Sequence, residues 1–412
     1  MIKKGILLWL MLLFLSNLQA QNSTSSPLSI FGIGELEIRD FGRTTGMGSV
    51  GIGYRSENFL NRRNPAGLNG IDTLRFILDI SAALKISTFI TTSEKIQSTD
   101  FNFKSLAVGV RLSKKWTSSV GLSPYSNVGY NMVGFDQIQG TDQSKINYAG
   151  SGGVNKFYWA NAFEIIRGFS LGVTSSYIFG NFTHSEAKDI YTIQDMYNVS
   201  KIYFDFGAQY SHWFGTHTQL TAGGVYGYKS EMPIQRTQMH ISNNAIELNR
   251  RKPDQISYIP EFYGAGFSIL RNKKEAEWIF AADYLYRNSS VDTSRDKVFT
   301  YSDSHTYSAG LQFTPNVNRA ENYFQIIRFQ LGACYNQSYL KVNGSQLEDY
   351  SVSLGLGLPF FNQMRRTVSY VNVAVNVGES GTGKRGGITE RYVLLSVNLS
   401  LIERWFAKYQ FD

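Results

Sequence analysis

The sequence predicts an all-β protein: a 14-stranded antiparallel transmembrane β-barrel with an N-terminal hatch, or plug, inside its lumen. Three observations favour this fold class. From residue 73 to residue 402 the chain repeats runs of alternating apolar and polar residues. Aromatic residues are concentrated at the ends of these runs, as in the interfacial girdles of outer-membrane barrels. The stretch before the first run is rich in glycine and does not alternate.

Residues 1–20 are predicted to be a secretory signal peptide. Lys3 and Lys4 precede an apolar run over residues 6–15, and the small Ala20 precedes Gln21. This order of basic, apolar and small residues is typical of a cleaved signal peptide. The run is too short to cross the roughly 30 Å of hydrocarbon in a bilayer. We therefore expect cleavage after Ala20 and export to the bacterial outer membrane.

Residues 21–72 are predicted to form the hatch. This stretch contains seven glycines between Gly32 and Gly53, carries both signs of charge, and ends in a segment with Asn64, Pro65 and Ala66. It lacks the period of two that a strand facing two environments requires. We expect it to fold inside the barrel.

Residues 73–402 are predicted to form the barrel wall. In the last run Val393, Leu395 and Val397 share one face, and Ser396 and Asn398 share the other. A soluble β-sandwich also alternates, with its apolar faces turned inward. A membrane barrel turns its apolar face to lipid. The length of the runs and the placement of the aromatic residues favour the barrel.

Fourteen runs are recognisable, and the links between them alternate in length. Short links, such as residues 113–115 and 167–168, alternate with long polar ones, at residues 131–156, 229–255 and 288–305. Short turns on one side and long loops on the other are typical of outer-membrane barrels. The even count predicts both chain ends on the periplasmic side. Residues 403–412 are then a periplasmic tail.

Composition and motifs argue against several other functions. The formal net charge is +8, which suits contact with anionic lipid headgroups, but the basic residues are scattered and no nucleic-acid-binding motif is present. The five histidines do not fall at metal-ligand spacing, and no Gly-x-Ser-x-Gly sequence occurs. The single Cys334 excludes an intramolecular disulfide framework. We expect no enzymatic activity, no cofactor and no metal site.

The hatch, the fourteen runs and the Asn64-Pro65-Ala66 sequence together resemble the outer-membrane long-chain fatty acid transporter family (FadL and toluene porins). The resemblance implies an N-terminal hatch with an Asn-Pro-Ala motif inside a fourteen-stranded barrel. It also implies a third strand that kinks inward and opens the wall sideways, and Asn64, Pro65, Ala66, Pro124 and Tyr125 would then serve ligand passage or gating. Pro124 lies in the third run and has no N–H for a ladder hydrogen bond. The alternative is that Pro124 ends the strand at the rim.

Charged residues within the runs are predicted to point into the lumen: Arg75, Asp79, Arg111, Asp205, Glu277, Asp283 and Arg328. Because buried charges must be paired, one interpretation is an ion-pair network that holds the hatch. The other is that Arg111 or Arg328 captures the carboxylate of a ligand.

Two hypotheses for function remain. In the first, the barrel transports a small hydrophobic, fatty-acid-like molecule, with membrane lipid or lipopolysaccharide around it and lateral release at the kinked third strand. In the second, it is a structural or accessory barrel subunit of a larger outer-membrane secretion or protein-assembly complex, with other outer-membrane or periplasmic proteins as partners. The interior distinguishes them: the first predicts an apolar pocket, and the second a lumen filled by the hatch.

Overall fold

The computed structural model describes residues 25–404 except 74, 92–93, 137–143, 189, 243–244, 274, 290–298, 318–321, 343, 363–366 and 383–386. The predicted signal peptide and residues 405–412 of the predicted tail lie outside this range. Within the described residues, no helix is both long enough and apolar enough to span a membrane.

Fourteen antiparallel strands form a closed barrel, as predicted. Consecutive strands pair with one another, and the last strand pairs with the first from Thr389–Ile90 to Arg404–Arg75, which closes the wall. The strands are β1 (Arg75–Ile90), β2 (Lys95–Arg111), β3 (Trp116–Asp136), β4 (Ser144–Ile166), β5 (Phe169–Lys188), β6 (Tyr191–Phe214), β7 (Thr218–Gly227 and Ser230–Ser242), β8 (Ala245–Arg251, Gln255–Ile259 and Glu261–Lys273), β9 (Ala276–Asn288), β10 (Phe299–Tyr301 and Ser304–Thr314), β11 (Arg328–Val342), β12 (Ser345–Asn362), β13 (Thr367–Gly381) and β14 (Thr389–Arg404).

The apolar faces of the strands point outward, as a membrane barrel requires. In β14, Val393, Leu395 and Val397 are 38–43% exposed, whereas Ser396 and Asn398 are at most 4% exposed. This sense of alternation excludes the soluble sandwich, whose apolar faces would be buried. β14 continues to Arg404, so the first two residues of the predicted tail belong to the wall.

The long links that the sequence indicated are largely strand rather than loop. Most of residues 131–156 belongs to the hairpin of β3 and β4, and most of residues 229–255 to that of β7 and β8. Polar residues occur on both faces there because the hairpins extend beyond the apolar band. In the third link, residues 290–298 lie outside the described range.

The described part of the hatch, residues 25–72, contains three short 3-10 helices and one short strand: Pro27–Ile30, Thr45–Met47, Pro65–Gly70 and Glu35–Leu36. Its middle is fully buried. Met47, Val50, Ile52 and Tyr54 are at most 1% exposed. These side chains form small apolar clusters with inward residues of the wall, such as Ile279.

The wall is interrupted between β2 and β3. Their ladder runs only from Arg111–Thr117 to Leu106–Leu122. Beyond it, β3 pairs instead with the hatch strand, through Glu35–Asn127 and Leu36–Ser126. We call this interruption the β2–β3 opening.

Pro124 lies at this opening, in the interior of β3. The ladder between β3 and β4 shifts register between Pro124 and Ser126. The alternative of a rim position for Pro124 is therefore wrong. A residue without an N–H accounts for the break in pairing at this point.

Candidate functional site

The Asn64-Pro65-Ala66 sequence anchors the hatch to the wall. Asn64 caps the 3-10 helix Pro65–Gly70, and its Oδ1 accepts a hydrogen bond from the Ala66 N–H at 3.0 Å. Its Nδ2 lies 2.9 Å from the Ile52 carbonyl oxygen and 3.1 Å from that of Ala208 on β6. Asn64 thus satisfies backbone groups of hatch and wall at once, in a fully buried position.

Glycines on both sides allow the hatch backbone to lie directly against the wall. A Cβ on Gly207 of β6 would collide with the Asn64 side chain, and one on Gly223 of β7 with the Ile52 carbonyl. On the opposite side of the lumen, a Cβ on Gly48 of the hatch would collide with the backbone of Ala333. Only glycine permits such close approach of two backbones.

Asp283 of β9 holds the centre of the hatch. Its carboxylate accepts hydrogen bonds from the N–H groups of Gly51 at 2.6 Å, Ile52 at 2.9 Å and Gly53 at 3.3 Å. A carboxylate bound by several backbone N–H groups is a strong charge-assisted arrangement. These bonds help to compensate the burial of the charge.

Ion pairs fix the part of the hatch that follows the short strand. Glu37 meets Lys104 of β2 at 2.5 Å, and Arg39 meets Asp349 of β12 at 2.6 Å. Burial acts to lower the pKa of Arg39, but Asp349 and the Tyr392 hydroxyl outweigh it and raise the pKa well above the ordinary value. Arg39 is therefore charged in the folded protein. Sequence reasoning missed these pairs because Glu37 and Arg39 lie in the hatch, where no period along the chain predicts a partner in the wall.

The seven lumen charges singled out in the sequence do not form one ion-pair network. Among the described residues, Arg75 pairs with Asp72 at 3.0 Å, and Arg111 donates to the Ile71 carbonyl at 2.8 Å. The other five use different partners, and the Glu277 carboxylate accepts a hydrogen bond from the Gln312 side chain at 3.4 Å. Asp79 accepts from Asn398 and Ser400, Asp283 from hatch amides, Arg328 lies 3.6 Å from the Tyr370 ring centroid, and Asp205 lines a cavity. The network interpretation is corrected: backbone amides and carbonyls hold most of the hatch.

Two cavities lie on the long-hairpin side of the buried hatch. The first, of about 220 Å³, is lined by both Pro124 and Tyr125 of the β2–β3 opening. The second, of about 160 Å³, lies towards β1, β12 and β14. Residues 36–39 of the hatch border both cavities, so this segment separates them. We call them the first and second chambers.

The chambers have mixed linings, in which apolar side chains lie beside charged ones. The first is lined by six basic and three acidic residues among the described part of the chain. The basic residues are Arg39, Arg62, Arg63, Lys104, Lys156 and Arg287, and the acidic ones are Glu37, Asp40 and Asp205. Nowhere in the described ranges do three His, Cys, Asp or Glu side chains gather as metal ligands would.

Solved outer-membrane transporters share the fold. The Pseudomonas putida toluene transporter TodX superposes with a TM-score of 0.60 at 13% identity, covering 90% of this chain and 100% of that one. A Pseudomonas aeruginosa FadL homologue gives 0.57 at 11% identity, covering 90% and 99%. The Ralstonia pickettii toluene transporter TbuX gives 0.54 at 13%, covering 89% and 98%. At these identities the likeness establishes the fold alone.

The sequence itself matches a different family. The family model described as BamG covers residues 1–412, the whole chain. No curated protein matches the sequence. The resemblance to the fatty acid transporter family therefore holds for the fold.

Proposed function

The chain belongs to the BamG family, and we propose that it is a structural or accessory barrel subunit of a larger outer-membrane protein-assembly complex, of the Bam type that the family's name indicates. The shared barrel fold does not decide this, because one fold serves many functions. The observation that supports the proposal is the hatch, which hydrogen bonds hold across the lumen.

The hatch closes the lumen from wall to wall. On one side Asn64 bonds to the Ala208 carbonyl of β6. On the other, the Gly48 N–H donates to the Ser353 hydroxyl of β12 at 3.0 Å. Asp283 binds the segment between them. A solute crossing the lumen would have to break these buried hydrogen bonds, each of which costs on the order of 1–3 kcal/mol to leave unmade.

A plugged barrel acts through its outer surfaces. The extended hairpins of β3–β8, the lipid-facing band and the short-turn side are all available for protein contacts. We propose no catalytic role, since the interior groups serve to bind the hatch.

Co-isolation tests this role. An epitope inserted between Pro253 and Asp254, in the interruption of β8 between Arg251 and Gln255, should retrieve other outer-membrane assembly subunits in fixed ratio from mild detergent. Depletion of the protein should lower the amounts of several unrelated outer-membrane proteins. Isolation of the barrel alone, with unchanged levels of other barrels after depletion, would count against the proposal.

A second candidate is passage of a hydrophobic molecule with lateral release, favoured by the β2–β3 opening. Pro124 breaks the wall there, and its side chain reaches the first chamber. If this route operates, Pro124→Val should restore pairing and slow the uptake of a labelled fatty acid. Pro233→Val, a proline change in β7 away from the opening, is the matched control. Equal uptake by both variants and the wild type would exclude the lateral route.

A further inference from the structure

The first chamber contains basic side chains that the protein does not neutralise. Arg62 pairs with Asp40 at 2.6 Å, and Lys104 pairs with Glu37 at 2.5 Å. Arg39 is neutralised by Asp349, which lies outside the lining. Three basic residues, Arg63, Lys156 and Arg287, then remain against the one carboxylate of Asp205. The described lining therefore carries an excess of two positive charges.

Among these three basic residues, Arg287 shows the lack of a partner most clearly. Its Nη1 is buried and has no hydrogen-bond partner among the described residues. Lys156 interacts electrostatically with Asp205 but makes no ion-pair contact with the described residues, and its Nζ lies 5.9 Å from the Tyr158 ring centroid. A buried charge without a partner is costly, because the low-dielectric interior replaces water without compensation. Arg63, in contrast, donates to the Ser49 carbonyl at 3.0 Å and serves the hatch.

We propose that the first chamber binds the phosphate head of an anionic lipid, with Arg287 and Lys156 as its ligands. A phosphate monoester carries about 1.5 to 2 negative charges at neutral pH, which matches the excess. Guanidinium and ammonium groups are the usual donors to phosphate oxygens. The inference does not depend on the proposed assembly role.

The location of the chamber explains why the anion is a lipid head. Lys104 of β2 and Pro124 of β3 flank the β2–β3 opening and also line the chamber. The chamber further contains apolar side chains, including Ile178, Val225 and Leu285. A volume of about 220 Å³ accommodates a headgroup, but not two acyl chains in addition. The chains would pass between β2 and β3 into the surrounding lipid.

Calorimetric titration of the full-length protein in a neutral detergent tests the proposal, with dioctanoyl phosphatidic acid as the probe. Arg287→Gln and Lys156→Gln should each weaken binding about 10-fold or more, the factor expected from losing one charge-assisted hydrogen bond. Arg391→Gln is the matched control, because Arg391 is 67% exposed and pairs with Glu379 on the wall's outer face. It should bind as the wild type does.

Two further titrations identify the ligand. Dioctanoylglycerol, which lacks the phosphate, should bind at least 10-fold more weakly than the phosphatidic acid. Inorganic phosphate should also bind more weakly, because it lacks the acyl part; equal affinity would show a site for the free anion and overturn the lipid assignment. If Arg287→Gln does not fold, Arg287→Lys and Lys156→Gln carry the test. Equal binding by the wild type and the folded variants would overturn the proposal.

Discussion

At the scale of single residues, much of the hatch is attached by side chains that hydrogen-bond to its backbone rather than by ion pairs. Asn64 and Asp283 each bind several main-chain groups of residues 51–66. Gln209 of β6 adds to them, donating to the Ile52 carbonyl at 2.9 Å. Such bonds fix the position of the chain irrespective of which side chains it carries. They explain why a hatch with few regular elements is nevertheless held in one place.

Asp283→Asn should destabilise the protein markedly. The amide has the shape of the carboxylate but lacks the charge that strengthens the three hydrogen bonds from the backbone N–H groups. Its NH₂ group also faces N–H donors, with which it cannot form hydrogen bonds. We expect a loss of roughly 1.5–3 kcal/mol, typical of hydrogen bonds to charged groups. Urea unfolding from detergent micelles measures it. Asp254→Asn, a change of a 43%-exposed carboxylate, is the control and should stay within about 0.5 kcal/mol.

Gly223→Ala and Gly224→Ala form a pair that tests the contact between hatch and wall. A Cβ on Gly223 would collide with the Ile52 carbonyl, whereas one on Gly224 would meet its nearest atom, the Gly264 carbonyl oxygen, at 3.7 Å. We expect Gly223→Ala to cost about 1–3 kcal/mol through overpacking, and Gly224→Ala to be neutral or slightly stabilising. Thermal unfolding followed by circular dichroism compares them. Similar melting temperatures would show that the hatch does not press against the wall here.

At the scale of elements, the hatch strand is a pairing partner for the free edge of β3. Beyond Leu122, β3 has no partner in β2, and Glu35–Leu36 pairs with part of its free edge. The Glu37 N–H extends this contact to the Tyr125 carbonyl at 3.0 Å. An open strand edge at membrane depth would leave backbone groups unsatisfied in a solvent that cannot bond them. The contact with the hatch therefore satisfies part of the strand edge that the break at Pro124 leaves without a partner.

Glu37→Gln should loosen this element. Lys104 and Glu37 are 9% and 18% exposed, so removing one charge leaves the other largely buried and unpaired. We expect faster hydrogen exchange at the amides of residues 35–37, by a factor of about 10 or more, because each 1.4 kcal/mol of lost local stability gives tenfold. Glu379→Gln, which breaks the exposed pair with Arg391, should leave those amides unchanged. Unchanged exchange in Glu37→Gln would show that the pair does not hold the strand.

At the scale of the whole molecule, an apolar band surrounds the lower wall, and the hairpins of β3–β8 rise above it. Val397 of β14 lies in the band at 43% exposed, and Ile246 of β8 lies in the extension at 62% exposed. Both side chains are apolar and exposed. Only the first should be in contact with lipid.

Val397→Arg and Ile246→Arg should therefore behave differently. A lipid-facing arginine near the bilayer midplane costs roughly 2–4 kcal/mol, falling towards zero at the interface. We expect Val397→Arg to reduce folding into lipid vesicles, measured as the urea midpoint, and Ile246→Arg to leave it unchanged. Equal effects would place the extension within the bilayer.

The sequence by itself determined the strand number, the alternation of apolar and polar faces and the position of the hatch before the first strand. These follow from a local rule, because each residue's neighbour faces the opposite environment. Tertiary structure alone decided what the interior does. Arg39 meets Asp349, 310 positions away, and the buried Nη1 of Arg287 has no hydrogen-bond partner among the described residues. Pairing across a lumen depends on how the barrel closes and on the path of the hatch through it. No periodic pattern in the sequence predicts either of them.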